Sequence, residues 1–312
     1  MTTKTPTVPP AVRALHLLER VAPSLAAEAA YSLWVRPGKR KPVHDTERPV
    51  MDHASRSTIS VRGQRVAVYR WGTGPDAVLL VHGWQSRAAA LAPLVRELRA
   101  AGRTIVAFDA PAHGESSGHQ TNVRDYAAII EELARQHDGF EAIVAHSFGT
   151  PGAALAIRNG VRVGRLVTVN GAADFEYLLA GFASKLGLRE STVDAVRRLT
   201  ERRVFPGVAD IWTSLSATAP LPAAVPWLVI HDDSDTMIGL DQAHALLDAH
   251  HASTILVVTH GLGHNRPLRD DSVLERISSF LSPAPQHQPQ GEWQPAGERY
   301  STQDKVPSSV LA

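Results

Sequence analysis

Residues 142–149 read Ala-Ile-Val-Ala-His-Ser-Phe-Gly and run on into Thr150-Pro-Gly-Ala-Ala-Leu-Ala-Ile157. The apolar run Ala142-Ile143-Val144 predicts a short buried strand. The segment from Pro151 to Ile157 predicts a helix ending near Gly160. Ser147 falls in the turn between them. A tight strand-to-helix turn lifts a serine hydroxyl above the strand end. The helix N-terminus behind it favours developing negative charge. Ala145 and Gly149, two places either side of Ser147, are small enough for the backbone to turn sharply.

The same texture recurs on both sides of this stretch. Thr58–Val61 and Val66–Tyr69 flank Gly63 as a hairpin. Ala77-Val-Leu-Leu-Val81 reads as a buried strand ending at His82-Gly83-Trp84. Ser86 is placed to cap the helix that carries Leu91, Leu94, Val95 and Leu98. Thr104–Phe108 is a further strand, ending at Asp109-Ala-Pro-Ala-His-Gly-Glu-Ser116, and Asn122 is placed to cap the next helix. Leu166–Val169 follows the Ser147 segment. Trp227–Ile230 then precedes His231-Asp-Asp-Ser-Asp235-Thr-Met-Ile238, a helix is expected over about 240–250, and Thr254–Val258 precedes Thr259-His-Gly-Leu-Gly-His264. Short continuous apolar strands alternating with helices predict a mostly parallel sheet covered on both faces. Ligands of such sheets bind at the carboxyl ends of the strands, where His82, Asp109 and Ser147 all fall.

Two regions break the rhythm. Val12, Leu15, Leu18, Val21 and Leu25 recur at helical spacing, so one amphipathic helix is expected over roughly 10–34. It could lie on a membrane or a partner, but packing against its own domain is the favoured reading. The basic loop Arg36–Pro42 behind it reads as a solvated linker rather than an anion site. Between residues 172 and 222, Phe175, Leu178, Leu179, Phe182 and Leu186 form one helical stripe, and Ser191-Thr-Val-Asp194 resembles a capping box for a second helix. After Ser282 the chain is rich in Pro and Gln, without periodicity.

Composition narrows the function classes. Hydrophobic residues make up 44% of the 312 and charged ones 20%, enough for a sizeable core. A net charge of +1 gives no reason to expect nucleic acid as a partner. With no cysteine, disulfides, thiolate metal sites and a Cys nucleophile are excluded. No run of 18 apolar residues suggests a membrane span. Glu19-Arg20 interrupts the one candidate signal-peptide core, so a cytoplasmic protein is expected.

A serine hydroxyl needs a base to take its proton, and the base needs a third group to orient it. Ser147 comes first, an acid follows the penultimate strand, and a histidine follows the last. That Ser…Asp…His order, with the strand–turn–helix at Ser147, resembles the α/β-hydrolase superfamily over about residues 57–282. The resemblance implies an α/β-hydrolase core at 57–171 and 223–282 with a helical cap at 172–222, while the texture of the flanks predicts an N-terminal extension at 1–56 and a disordered tail at 283–312. It selects Asp235 as the acid, over Asp232, Asp233 and Asp241, because His231–Ile238 resembles the family's pattern at that turn. It selects His264 over His260, because Gly261-Leu-Gly263-His264 resembles the loop after the last strand. The N–H of Phe148 is one expected oxyanion donor, and the family's second falls on Trp84. His82 and His113 are then read as bracing residues. Ala112 stands where the family usually has Gly.

The activity implied is that of a serine hydrolase cleaving carboxylic esters through an acyl-enzyme, without metal or organic cofactor. Its expected partner is a small-molecule ester. Thioester or lactone hydrolysis and acyl transfer are alternatives on the same residues, and a binding protein without chemistry is a further one. For the substrate pocket the expectation is that Phe175 or Phe182, with Trp84, Phe148 and Met237, roofs an apolar acyl site. The competing reading is that the stripe packs on Val193, Val196 and Leu199.

Overall fold

The computed structural model describes residues 9–282; the tail expected at 283–312 lies outside them. The chain begins with α1 (Pro10–Val21), α2 (Pro23–Trp34) and α3 (Arg48–Asp52), then β1 (Ser55–Val61), β2 (Gln64–Trp71) and β3 (Ala77–Val81). Next come α4 (Ala92–Ala100), β4 (Thr104–Phe108), α5 (Val123–His137), β5 (Phe140–His146), α6 (Gly149–Arg158) and β6 (Val163–Val169). Helices α7 (Phe175–Leu186), α8 (Glu190–Val204) and α9 (Ile211–Ser214) lie between β6 and β7 (Trp227–Asp232). The chain closes with α10 (Leu240–Ala249), β8 (Thr254–Thr259) and α11 (Asp271–Leu281).

Eight strands form one sheet in the order β1-β2-β4-β3-β5-β6-β7-β8. The hairpin β1–β2 is antiparallel and β2 meets β4 antiparallel, while every pair from β4 to β8 is parallel. Period-two geometry divides each central strand between two cores. Leu79, Val81, Ile143 and Ala145 face the core built with α5 and α6, and the same core takes in residues of α1, α2 and α7–α10. Val78, Leu80, Ala142 and Val144 face the other, built with α3, α4 and α11. Strands buried on both faces must be apolar throughout, which is why they read as continuous runs. The sheet is the α/β-hydrolase arrangement the sequence predicted.

Several local readings are corrected. The single helix expected over 10–34 is two, because Pro23 has no N–H to donate and its ring clashes with a continuing turn. Ala22, at φ −150°, carries the break. Ser86 does not cap a helix. A 3-10 turn at Ala88–Leu91 leads into α4, which starts at Ala92 with Pro93 in its first turn. Ser191 lies inside α8 rather than capping it; the buried Glu19 of α1 accepts from the Arg189 N–H at 2.9 Å and serves that helix start from 170 residues away. Asp241 lies in the first turn of α10, while Gly239 occupies its cap position. Asn122 does cap α5, in a box closed by Asp125, an arrangement worth about 1 kcal/mol.

The helical pair at the N-terminus packs on the insertion between β6 and β7. Trp34 of α2 meets Phe175 and Phe182 of α7 with ring centroids 6.1 and 5.3 Å apart. His16 of α1 donates to the Leu186 carbonyl at 2.8 Å. Packing within its own domain, the favoured reading of the segment, is what the described residues show.

Candidate active site

Ser147 follows β5 with φ +53°, a left-handed conformation that strains an L-residue and marks the sharp turn. Two glycines make room for it. A Cβ on Gly83 would lie 2.9 Å from the Ser147 Cβ, and one on Gly149 would lie 2.9 Å from the Val81 carbonyl oxygen. The turn can therefore press against the loop after β3 only while both positions lack side chains.

His264 reaches Ser147 from the loop after β8. Its Nε2 lies 3.0 Å from the Ser147 Oγ, and its Nδ1 lies 2.7 Å from the Asp235 Oδ2. With Nδ1–H donating to the carboxylate, Nε2 is left to accept the serine proton. The other Asp235 oxygen, Oδ1, accepts from the N–H groups of Met237 and Ile238 at 2.8 and 3.1 Å. Burial would raise this carboxyl, but the hydrogen bond and charge of His264 and these two backbone donors outweigh it, holding Asp235 below the ordinary carboxylate range. The group is covered: Ser147 and Asp235 are each 8% exposed.

The rival acids have other partners. Asp232 is fully buried and accepts from Gly263 N at 2.7 Å, Leu262 N at 3.0 Å, Thr259 Oγ1 at 2.8 Å and Ser234 N at 3.1 Å, pinning the turns after β7 and β8 together. Asp233 pairs with His260 at the surface, 2.6 Å apart. Asp241 accepts from the amide of Gln242 at 3.0 Å.

The Phe148 and Trp84 N–H groups donate to no acceptor among the described residues. The rings of Trp84 and Phe148 meet 5.1 Å apart. His82 donates from Nδ1 to the Gly83 carbonyl and accepts the Ala110 N–H at Nε2, at 2.7 and 3.0 Å. His113 accepts the Gln85 N–H at 3.1 Å. Both therefore brace the loop that carries Trp84. Burial, with the neighbouring His82, lowers His113 to about 3, so it stays neutral. Ala112 sits at φ +65°, the conformation for which glycine is ordinarily chosen.

Of the expected pocket residues, Phe175 meets Trp212, stacked at 5.1 Å, and Trp34, Phe182 meets Trp34, and Trp84 meets Phe148. Phe148 and Phe175 belong to one core, on which Trp84 and Phe182 pack. Met237, beside Asp235, is 60% exposed. Two surface depressions of about 360 and 580 Å³ are lined by residues such as Gly139, Phe140 and Arg162, at the amino ends of β5 and β6, the end of the sheet opposite Ser147.

Two residues that the sequence reading missed hold His264 by its backbone. Asn170, at φ +46° past the end of β6, donates from Nδ2 to the carbonyls of Gly263 and His264 at 2.9 and 3.0 Å. Its Oδ1 accepts the Asp232 N–H at 2.8 Å. The ring of His146 donates from Nε2 to the same His264 carbonyl at 3.0 Å; burial and the charge of His264 lower it to about 3, so it remains a neutral donor. The signal for Asn170 is an Asn-Gly pair closing an apolar strand, where a turn with φ > 0 is due. Asn170→Ala is expected to lower kcat roughly tenfold beside a stability loss of about 1–3 kcal/mol, because the Asp232 N–H is left unpaired. Kinetics normalised to folded enzyme check this; a lower Tm with unchanged kcat would reduce Asn170 to a structural part.

Parallel sheet, strand-end serine and histidine–carboxylate pair define a protein of the α/β-hydrolase class. The sequence matches the alpha/beta hydrolase family over residues 78–276, and the chain belongs to that family. It is 26% identical over 268 residues to a monoacylglycerol lipase of Mycolicibacterium smegmatis, covering 72% of this chain and 95% of that one. Among solved structures, the Pyrococcus furiosus esterase Pf2001 superposes with a TM-score of 0.61 at 17% identity, over 79% of this chain and 97% of the other. Mouse alpha/beta hydrolase domain-containing protein 10 gives 0.55 at 17% identity, over 73% and 97%. At these identities the structural likeness is one of fold. Among the described residues no helix is long and apolar enough to cross a membrane.

Proposed function

We propose that the protein hydrolyses carboxylic esters, with Ser147 as nucleophile, His264 as base and acid, and Asp235 as the group that orients and stabilises the imidazolium. The observation that carries this reading is the pair of hydrogen bonds at 3.0 and 2.7 Å that links the three side chains. In the first half-reaction the Ser147 Oγ attacks the ester carbonyl while His264 Nε2 takes its proton. The tetrahedral oxyanion turns toward the Phe148 and Trp84 N–H groups. Collapse expels the alcohol, which receives the proton from His264, and leaves an acyl group on Ser147. Water, deprotonated by the same imidazole, releases the acid.

Trp84, Phe148 and Met237 line the acyl side in this reading, with Phe175 or Phe182 of α7 roofing it. None of the five can pair a substrate carboxylate, so an uncharged acyl group is favoured. The family membership supports hydrolysis, and the similarity to a monoacylglycerol lipase supports a glycerol-type ester as one candidate. The test is a panel of p-nitrophenyl esters of increasing acyl length, with a monoacylglycerol, a thioester and a lactone alongside. kcat/KM is expected to climb with acyl length, since each buried methylene is worth about 0.8 kcal/mol, until the pocket is full. Turnover of the thioester or lactone alone would refute the ester assignment.

A further inference from the structure

Seven large hydrophobic side chains are prominently exposed among the described residues, and four of them lie on α1 and α2. Leu17, Val21 and Leu25 keep 60, 69 and 61% of their surfaces, and Leu33 keeps 48%. Scattered single exposures are ordinary on a protein surface, but a concentration on one element is not. Leu17 and Val21 are i,i+4 neighbours on α1, and Leu25 and Leu33 lie two turns apart on α2. The opposite sides of both helices are committed inward, through Leu15, Ala26, Ala30 and Tyr31.

Unpaired cations flank these residues. Arg13 lies one turn before Leu17, Arg20 one turn after it, and Arg36 one turn beyond Leu33. None of the three is ion-paired among the described residues; nor are Lys39 and Lys41 in the loop that follows. The two acids of the segment are already engaged, Glu19 by the Arg189 N–H and Glu28 by Arg203. Within α1 and α2 the two arginines and two acids balance in number, and the excess of cations lies in the loop that follows, at Arg36, Lys39, Arg40 and Lys41.

We propose that the α1–α2 face docks on the surface of an anionic phospholipid bilayer, with Leu17, Val21, Leu25 and Leu33 entering the acyl boundary and the flanking cations meeting lipid phosphates. An exposed apolar stripe bordered by Arg and Lys is the pattern of a helix lying in the interfacial plane. Docking here would set down on the bilayer the helices that Trp34 ties to α7. The proposal does not depend on the esterase reading, since a Ser147→Ala chain should bind the bilayer as the parent does.

The experiment is co-sedimentation of the full chain with vesicles of phosphatidylcholine alone and of phosphatidylcholine containing about 30 mol % phosphatidylglycerol. At least a tenfold preference for the anionic vesicles is expected, weakening as salt is raised. The triple variant Leu17→Ser, Val21→Ser, Leu25→Ser and the pair Arg13→Glu, Arg20→Glu should each lower binding roughly tenfold or more. Their hydrolysis of a water-soluble ester should stay unchanged, which keeps a folding defect distinguishable. Equal binding to both vesicle types, or none, overturns the proposal. So does a dimer that the triple variant converts to monomer without vesicle binding, which would give the face to a second copy. Vesicle binding seen only in a chain ending at Ser282 would give it to residues 283–312 and would equally overturn it.

Discussion

Ser147→Ala is expected to lower kcat/KM by roughly 10³ or more, about 4 kcal/mol of transition-state stabilisation, with KM and fold little changed. The alanine keeps the Cβ, so the close fit of Gly83 against the turn survives, and both residue types tolerate φ +53° equally poorly. Only the Oγ that His264 Nε2 meets at 3.0 Å is lost. Residual turnover would come from water attacking a carbonyl that the Phe148 and Trp84 N–H groups still polarise. Steady-state kinetics with thermal melting check this, and near-parental hydrolysis by the alanine variant would remove Ser147 as nucleophile.

Asp235→Asn should cost nearly as much, roughly 10³–10⁴ in kcat, although it replaces one oxygen by a nitrogen. The carboxylate accepts from His264 Nδ1 at 2.7 Å and from two backbone N–H groups through its other oxygen. An asparagine would keep its carbonyl oxygen on Met237 and Ile238 and turn its amide toward His264. The imidazole would then have to accept at Nδ1 and carry its proton on Nε2, the tautomer that cannot take a proton from Ser147. Substrate binding should be barely affected, so the loss is expected in kcat with KM nearly constant. The same change at Asp233, which pairs with His260 at the surface, is expected to leave kcat within about twofold. Equal losses at the two positions would overturn the choice of Asp235.

What could be read from sequence follows from how far apart the deciding partners lie. The sheet was legible because strands buried on both faces must be apolar throughout, and β3, β4 and β5 each meet that demand within one short window. Ser147 was legible for a similar reason, since strand, turn and helix are contiguous. Helix starts were less so. The 3.6-residue pattern runs through Ala22-Pro23 although the backbone does not, and Ser191 offers capping chemistry that the chain leaves unused because Glu19 already serves α8. Choosing Asp235 among four acids needed the likeness to a family. The physical discrimination lies in what Asp232 does with Gly263, Leu262 and Thr259. Asn170 and His146 were missed because their partner, the His264 carbonyl, is 94 and 118 residues away, and a side chain that binds a carbonyl leaves no complementary residue type in the sequence. The ring partners of Phe175 and Phe182 come from α2 and α9, which no local pattern links to α7.

The central claim is that an acyl group passes through the Ser147 oxygen, and covalent trapping tests it most directly. The protein would be treated with a fluorophosphonate, which phosphonylates a serine only where a base activates it, then digested and mapped by mass spectrometry. The account predicts one adduct per chain, on the peptide carrying Ser147, forming in step with loss of ester hydrolysis and greatly slowed in Asp235→Asn. An adduct on another residue, or ester hydrolysis that persists while Ser147 is fully labelled, would contradict it.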